Sequence, residues 1–318
     1  MEWSFRPRAA LWLVPLVGLL VSTREAVGQE MSDPPRSTVV RIDPETVPRP
    51  TMRATRTSDP IEVDGWLHES VWASADTATN FYQSLPRDGL PAAERSVVRI
   101  LYDDKYLYVG AMLYESEPGR PTIPGLEQDF RTENSDLFGV AIDTYHDRAN
   151  AFLFAVNPAG AIFDAQNFND SRYTNRAWEG VLRVNAQVHD EGWSVELAIP
   201  FTTLRFNPNA DDQTWGINFL RRVRRQGEDS YWAPLPRQHR VHKMSRAGTL
   251  TGLRGLQAGT NLTVKPYVAG SSTSGTERVD GGGEELEGGF DIKYGVTSRL
   301  TLDVTAFTDF SQVEVDEE

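Results

Sequence analysis

The stretch of sequence that decides the fold is EGWSVELAIPF, residues 191–201. Its apolar side chains stand at alternate positions: Trp193, Val195, Leu197 and Ile199. This alternation is typical of a β-strand with one face on a hydrophobic core. Pro200 lacks the amide hydrogen that a sheet ladder needs, so the strand is predicted to end there.

Short segments of the same kind recur along the chain, separated by turn residues. The clearest are residues 95–100, 101–111 (a hairpin), 136–143, 151–157, 161–164, 181–188 and 215–222. No amphipathic helix of ordinary length and no repeat of fixed period is visible in the sequence. Many closely spaced short strands predict an all-β fold, a jelly-roll β-sandwich.

The N-terminus has the form of a secretory signal. Arg6 and Arg8 precede an apolar run, residues 9–21, that is shorter than the about 20 residues a membrane-spanning helix needs. Residues 26–28 form a small-x-small cleavage site, which predicts a signal peptide over residues 1–28. A membrane anchor is the alternative interpretation.

Composition restricts the class of partner. The chain carries 32 Lys and Arg against 45 Asp and Glu, a formal net charge of -13, which argues against nucleic acid or an anionic lipid surface. It contains 0 Cys, as suits an exported protein whose stability comes from a core rather than from disulfides.

Changes in composition and in the pattern of apolar residues divide the chain into segments. Residues 29–56 contain five prolines among charges and are predicted to be a disordered linker. The sandwich is predicted over residues 57–257. Residues 258–318 contain alternating strands of nearly ten residues, as in transmembrane β-barrel hairpins. Three strands cannot close a barrel, so they either begin a longer barrel, which would make this chain truncated, or form a small soluble annex.

Six motifs within residues 61–253 occur in the order seen in family 9 carbohydrate-binding modules. They are IEVDG with Trp72, the hairpin VRILYDDKYLYV at 98–109, Asp136 with VAID at 140–143, FAVNPAG at 154–160, GWSVELAIP at 192–200 and WGINFLR at 215–221. The segment therefore resembles that family. The resemblance implies a jelly-roll sandwich that binds an oligosaccharide or polysaccharide, without catalysis, in the service of glycan breakdown or uptake.

The resemblance also points to two positions of an aromatic clamp that holds the sugar in binding members of the family. This chain has Arg-Thr-Glu-Asn at 131–134 and Gln-His-Arg-Val-His at 238–242 in these places, and Gly139 near the expected carboxylate. The tail, with GFDIKYGVT at 289–297, resembles the start of an outer-membrane barrel. The implied location is the periplasm or outer membrane of a Gram-negative-type bacterium, with the barrel as partner.

Two groups of residues are candidates for ligand binding. Aromatic faces beside amides suit sugars. Residues 167–176 are predicted to be a polar loop that contains Asn169 and Tyr173, and Trp178 lies beside it. The second group, Arg131, Glu133 and Asp136, surrounds the first clamp position. Packing in the core for Trp178, and a solvated loop for the acidic group, are the alternatives.

Metal and anion sites are further hypotheses. Asp143, Asp147 and Asp164, or the loop at 167–170, would offer oxygen ligands to a structural Ca²⁺. His239 and His242 lack a neighbouring Cys or acidic ligand, which argues against zinc. The basic run at 221–225 either binds an acidic glycan or pairs with nearby carboxylates.

Three functions remain open from the sequence. The first is non-catalytic carbohydrate binding, and the second is a structural plug or interaction domain of an outer-membrane barrel without sugar affinity. The third is a glycoside hydrolase, which would require two carboxyl groups facing each other across a cleft.

Overall fold

The computed structural model describes residues 40–257, 262–272, 284–297 and 300–306, and its regular structure is almost entirely β-strand. In chain order the strands are β1 (Thr51–Arg53), β2 (Thr55–Arg56), β3 (Thr77–Ala78), β4 (Tyr82–Leu85), β5 (Ser96–Tyr102), β6 (Tyr106–Tyr114), β7 (Leu137–Asp143), β8 (Ala151–Val156), β9 (Ile162–Phe168), β10 (Tyr173–Asn175), β11 (Arg183–His189), β12 (Gly192–Pro200), β13 (Asp212–Val223), β14 (Glu228–Tyr231), β15 (Gly248–Arg254), β16 (Leu262–Ser272), β17 (Glu284–Thr297) and β18 (Leu300–Ala306). One short helix, α1 (Ser70–Ser74), accompanies them with 3-10 turns at Thr132–Asn134, Arg224–Gln226 and Met244–Arg246. The predicted signal peptide and residues 29–39 lie outside the described residues.

Two sheets form a β-sandwich. The larger, nine-stranded sheet has the order β1-β15-β13-β7-β8-β9-β10, with β14 joining β13 to β4. The smaller, six-stranded sheet has the order β11-β12-β6-β5-β2, with β3 paired to β5. The predicted all-β sandwich is therefore confirmed.

The main core lies between these two sheets. Strand β12 contributes Trp193, Val195 and Leu197, all fully buried, and β7 faces them with Phe138 and Val140. Because side chains alternate across a strand, the other residues of β7 point to the outer face of the nine-stranded sheet. A second apolar cluster covers that face with residues from the loops, including Phe130, Leu235 and Val241.

A carboxylate anchors the first part of the chain to the six-stranded sheet. Glu196 on β12 accepts hydrogen bonds from the backbone amides of Asp64 and Gly65, at 3.1 and 2.9 Å, and from Trp72 Nε1 at 3.2 Å. Trp72 lies on α1 and is buried. The Asp-Gly and Trp of the first motif are thus parts of one packing unit.

Two local predictions are wrong. Residues 51–56 are not linker, because β1 pairs in parallel with β15 and β2 with β5, and Met52 is buried between the sheets. The polar stretch at 167–176 is not one loop, since β9 runs to Phe168 and β10 pairs with it from Tyr173. Both segments are too short or too polar to show a period, and pairing with another strand makes them regular.

The remaining strands form a separate three-stranded antiparallel sheet, β16-β17-β18. Its register places Val264, Ile292 and Val304 in one row across the sheet. Among the described residues, no helix has the length and apolar character needed to cross a membrane.

Candidate functional site

A groove of about 290 Å³ lies on the outer face of the nine-stranded sheet; we call it the outer groove. Its floor is apolar and consists of Leu137, Gly139, Leu153, Ala155, Phe163, Leu220 and Tyr231. Gly139 on β7 is in register with Ala155 on β8 and Leu220 on β13. A Cβ at Gly139 would make only ordinary van der Waals contacts, with Leu220 at 3.6 Å and Ala155 at 3.7 Å, so the glycine leaves space for a side-chain-sized group at this part of the floor.

Polar side chains from distant parts of the chain form the rim of the outer groove. They are Thr132, Glu133, Thr174, Arg176, Arg222, Arg240 and His242. The 3-10 turn at Thr132–Asn134 supplies one wall, and residues 240–242 supply another. The two segments that sequence comparison places at the clamp positions therefore meet at one groove, although neither contributes an aromatic side chain.

Arg222 fixes the first of these walls. Its guanidinium donates to both carboxylate oxygens of Asp229, at 2.6 and 2.7 Å, and to the carbonyl of Thr132 at 2.7 Å. Paired, planar hydrogen bonds of this kind are strong and directional. The turn that carries Glu133 is thus held to β13 and β14.

Two polar groups of the outer groove are buried without a hydrogen-bond partner in the described part of the chain. They are the hydroxyl of Tyr231 and Nδ1 of His242. Burial raises the pKa of Tyr231, so its phenol stays protonated. Burial and the charge of Arg240 lower the pKa of His242 to about 4, so its imidazole is neutral at neutral pH. An unsatisfied buried group costs about 1–3 kcal/mol, and a ligand hydroxyl would satisfy either one.

A smaller pocket of about 280 Å³ adjoins the outer groove; we call it the side pocket. It shares Glu133 and Arg222 with the outer groove, and Asn134, Arg224 and Asp229 complete its polar lining. Together the two pockets offer room for more than one unit of a chain-like ligand.

The residues that sequence analysis places around the first clamp position fall into different environments. Glu133 is exposed and lines both pockets. Arg131 is exposed just before the 3-10 turn and lines neither of them. Asp136 is fully buried, and its carboxylate accepts the backbone amides of Thr122 and Arg224. Asp136 therefore positions the loop and is out of reach of a ligand.

The aromatic group predicted around Asn169 lies apart from the outer groove. Tyr173 is 59% exposed on β10 and contacts Phe168, while Asn169 occupies the turn before it with a positive φ. Trp178 is half-buried and packs on Phe152, with ring centroids 5.3 Å apart. Its role in the described structure is packing against the main core.

A larger cavity of about 550 Å³, which we call the end cavity, lies beside this aromatic group. Phe152 and Phe168 line it, together with Tyr145, Asp147 and Asn167. Asn167 is fully buried and its Nδ2 has no partner among the described residues. The end cavity is therefore a second candidate site.

The predicted calcium ligands serve the backbone instead. Asp143 accepts the amides of Asp147 and Arg148, at 3.2 and 2.7 Å, and Asp164 accepts the amide of Gly180. Within the described ranges, no three His, Cys, Asp or Glu side chains lie close enough to hold a metal ion. The outer groove and the end cavity are each lined by one carboxylate, Glu133 and Asp147 respectively. Neither offers the paired carboxyl groups that glycoside hydrolysis requires.

Sequence reasoning missed Arg176 and Tyr231 as candidate ligand groups. Tyr231 lies on the short strand β14 and Arg176 directly follows the short strand β10, and the place of both strands beside the outer groove depends on the order of strands in the nine-stranded sheet. The alternation of Tyr231 with the core residue Trp232 is the one local signal that assigns Tyr231 to the outer face.

Comparison with known proteins gives two family matches. Residues 63–229 match the family described as carbohydrate family 9 binding domain-like, and residues 258–318 match a domain of unknown function, DUF5916. No curated protein matches the chain.

Three solved structures are similar to the chain. A protein of Bacteroides uniformis, named as a candidate carbohydrate-binding protein, is 12% identical with a TM-score of 0.54, covering 65% of this chain and 100% of that one. A family 9 carbohydrate-binding module of Caldicellulosiruptor kristjanssonii in complex with cellotriose is 16% identical with a TM-score of 0.43, covering 64% and 95%. The same organism's module in complex with glucose is 15% identical with a TM-score of 0.44, covering 66% and 100%. The first of these similarities supports the sandwich fold. Because the first family match spans more than half of the chain, the protein belongs to the carbohydrate family 9 binding domain-like family.

Proposed function

We propose that this protein binds carbohydrate, without catalysis, in the outer groove. The observation that carries the proposal is an apolar floor combined with two buried polar groups, the Tyr231 hydroxyl and His242 Nδ1, that have no hydrogen-bond partner among the described residues. Sugars present C–H faces to apolar surfaces and hydroxyl groups to polar ones, and ligand sites commonly combine the two. Family membership supports the same function.

Filling the outer groove tests the proposal. Ala155→Leu extends a side chain from the floor into the groove, where the site is open, so the fold is expected to keep its stability. Calorimetry with the oligosaccharides that bind in a glycan screen should show a loss of affinity of at least about tenfold, or about 1.4 kcal/mol.

The matched control changes the end cavity. Asn150→Ala alters the lining of that cavity and lies outside the outer groove, so it should leave sugar affinity unchanged. Binding that survives Ala155→Leu but is lost in Asn150→Ala would move the site to the end cavity. Absence of binding to every neutral and acidic glycan would instead leave a structural plug or interaction domain as the function.

We also propose that β16, β17 and β18 begin an outer-membrane β-barrel, and that the protein is exported to the cell envelope. Exposed apolar side chains of this sheet include Val264, Val268, Phe290, Leu302 and Val304. On β16 they alternate with Lys265 and Tyr267, and on β18 Val304 is followed by Thr305. An apolar face that alternates with a polar one is the pattern of lipid-facing strands.

Paired lysine substitutions on β18 test this assignment. Val304→Lys places a charge on the apolar face, where lipid exposure would cost about 2–4 kcal/mol, and Thr305→Lys places it on the opposite face. We expect Val304→Lys, but not Thr305→Lys, to reduce the amount of protein recovered in the outer-membrane fraction. Equal recovery of both variants, or recovery of the native protein in the soluble fraction only, would contradict the proposal.

A further inference from the structure

Positive charge is concentrated along the outer groove and the side pocket. Four arginines line them, namely Arg176, Arg222, Arg224 and Arg240, against two carboxylates, Glu133 and Asp229. The chain as a whole has the opposite balance, with a net charge of -13. The local excess of cations is therefore a property of this surface and not of the protein's composition.

Three of these four arginines have no carboxylate partner among the described residues. Arg222 forms an ion pair with Asp229, while Arg176, Arg224 and Arg240 are exposed and form none there. Elsewhere the surplus of acidic residues supplies partners, as in Arg246 with Glu45 and Arg254 with Asp212. Because these three arginines form no ion pair with a described residue, their guanidinium groups are available to bind a ligand.

The arginines also stand where a ligand in the outer groove would meet them. Arg176 directly follows β10, and its guanidinium lies over the ring of Phe163, 5.7 Å from the ring centroid; Phe163 forms part of the floor. Arg240 lies in the segment of residues 240–242, which forms another wall of the outer groove, two residues before His242. Arg224 lines the side pocket, beyond Arg222. A ligand that occupied both pockets would therefore have arginine side chains beside it in each of them.

The same site contains few exposed aromatic side chains, the groups that commonly bind neutral sugars. Its aromatic side chains are Phe163, which Arg176 covers, and Tyr231, which is fully buried. Stacking on a flat aromatic face contributes much of the affinity for an uncharged sugar. Here that contribution is small, and charge-assisted hydrogen bonds from guanidinium groups are the strong interactions that remain.

We propose that the outer groove and the side pocket select glycans that carry carboxylates, that is, chains containing uronic acid units. Arg240 and Arg176 bind the carboxylate in the outer groove, Arg224 binds one on the next unit in the side pocket, and Tyr231 and His242 bind hydroxyl groups. The proposal rests on carbohydrate binding as the function of this site. It assigns the ligand class, which the fold does not determine.

The test compares ligands that differ only in charge. The full-length protein is titrated calorimetrically, at physiological ionic strength, with tetragalacturonate and with its methyl ester, which has the same backbone and uncharged side groups. Cellotetraose and a sulfated tetrasaccharide complete the set. We expect the free acid to bind at least about tenfold more tightly than the ester.

Substitutions then assign the preference to the site. Arg240→Gln should lower the affinity for the acid to near that of the ester, and Glu133→Gln should raise affinity for the acid because it removes the exposed carboxylate between the pockets. The matched control Arg254→Gln removes an arginine outside both pockets and should change neither affinity.

The outcomes separate this proposal from the one on which it rests. Equal binding of acid and ester, or binding of cellotetraose or the sulfated sugar alone, would overturn selection for uronic acids and leave carbohydrate binding standing. A preference for the acid that survives Arg240→Gln and Glu133→Gln unchanged would overturn the assignment to this site. Absence of binding to all four ligands and to a wider glycan screen would overturn both proposals.

Discussion

At the scale of single residues, one buried carboxyl group, that of Glu196, connects several residues of the family motifs. Glu196 has three N–H donors and fixes Gly65, whose φ of +90° suits glycine, beneath the chain that leads to α1. The hydroxyl of Ser194 donates to the carbonyl of Gly65 at 2.6 Å and completes the anchor. An acidic residue in the middle of an apolar strand is therefore a structural part of the fold.

Two buried glutamates predict a pH dependence of stability. Burial raises the pKa of Glu196 and of Glu228 to about 7, above the value of 4.5 for an exposed glutamate. The folded state thus retains protons that the unfolded state releases, so their contribution to stability is complete below about pH 4.5 and is lost as the pH rises through about 7. We expect the free energy of unfolding in urea to fall between about pH 5 and about pH 8.

Glu228→Gln isolates one of these contributions. Glu228 accepts the backbone amide of Ala93 at 3.0 Å, and the neutral amide of glutamine retains an oxygen for that bond. The slope of unfolding free energy against pH should become shallower in this variant, whatever its stability at any one pH. A slope equal to that of the native protein would contradict the assigned pKa.

A buried ion pair predicts strong coupling between two residues. Arg221 is fully buried, donates to Glu115 at 2.7 Å and lies over the ring of Trp193 at 5.0 Å. Arg221→Met leaves Glu115 paired with Arg225 at 3.2 Å, whereas Glu115→Leu leaves the fully buried Arg221 without its ion-pair partner. Glu115→Leu alone should therefore cost roughly 3–5 kcal/mol in unfolding free energy. Arg221→Met with Glu115→Leu should cost clearly less than the sum of the single changes.

The exposed pair Arg254 with Asp212 is the control for this experiment. Both side chains are more than half exposed, so Arg254→Ala should cost less than about 1 kcal/mol. Additive effects of the Arg221 and Glu115 substitutions in a double-mutant cycle would show that the two residues are not coupled.

At the scale of elements, the strands closest to the N-terminus close the sandwich. β1 pairs in parallel with β15, and the amide of Ala54 donates to the carbonyl of Thr251 at 2.8 Å. β15 would otherwise be an edge strand with unpaired backbone groups. The domain predicted to begin at residue 57 therefore lacks part of its own sheet.

Met52 on β1 tests whether this strand contributes to stability. It is 2% exposed and packs in the main core, so Met52→Ala should lower the free energy of unfolding by about 2–5 kcal/mol. Arg53→Ala, on the exposed face of the same strand, should have a much smaller effect. Denaturation in urea measures both, and equal small effects would mean that β1 is peripheral.

At the scale of the whole molecule, the proposed binding site predicts that ligand binding is coupled to folding. The outer groove uses β7, β8, β9, β10, β13 and β14 together with two loop segments, so it exists only in the folded chain. A ligand that binds only the folded state, at about 100 times its dissociation constant, stabilises the fold by about 2.7 kcal/mol.

Thermal unfolding with and without the best oligosaccharide from the glycan screen measures this coupling. The unfolding temperature of the native protein should rise with ligand concentration. Ala155→Leu, which fills the outer groove, should show no such rise. A rise of equal size in both proteins would place the binding site elsewhere.

Local pattern was enough to predict many of the strands and the apolar side chains that they bury. Alternation of apolar side chains depends only on neighbouring residues, so the stretch at 191–201 and the hairpin at 98–109 indicated their own structure and burial. The basic run was predicted correctly in part, since Arg222 pairs with Asp229, whereas Arg221 turns inward to Glu115.

The candidate site was decided by tertiary structure. Glu133, Arg176, Tyr231 and Arg240 lie far apart in the chain and meet because β13 and β14 pair beside β7, and β10 pairs beside β9. The order of strands in a sheet depends on long-range pairing, which no local period encodes. The sequence by itself therefore determined a β-sandwich with Trp193 buried in its core, while only the packed sheets decided which charges surround the groove.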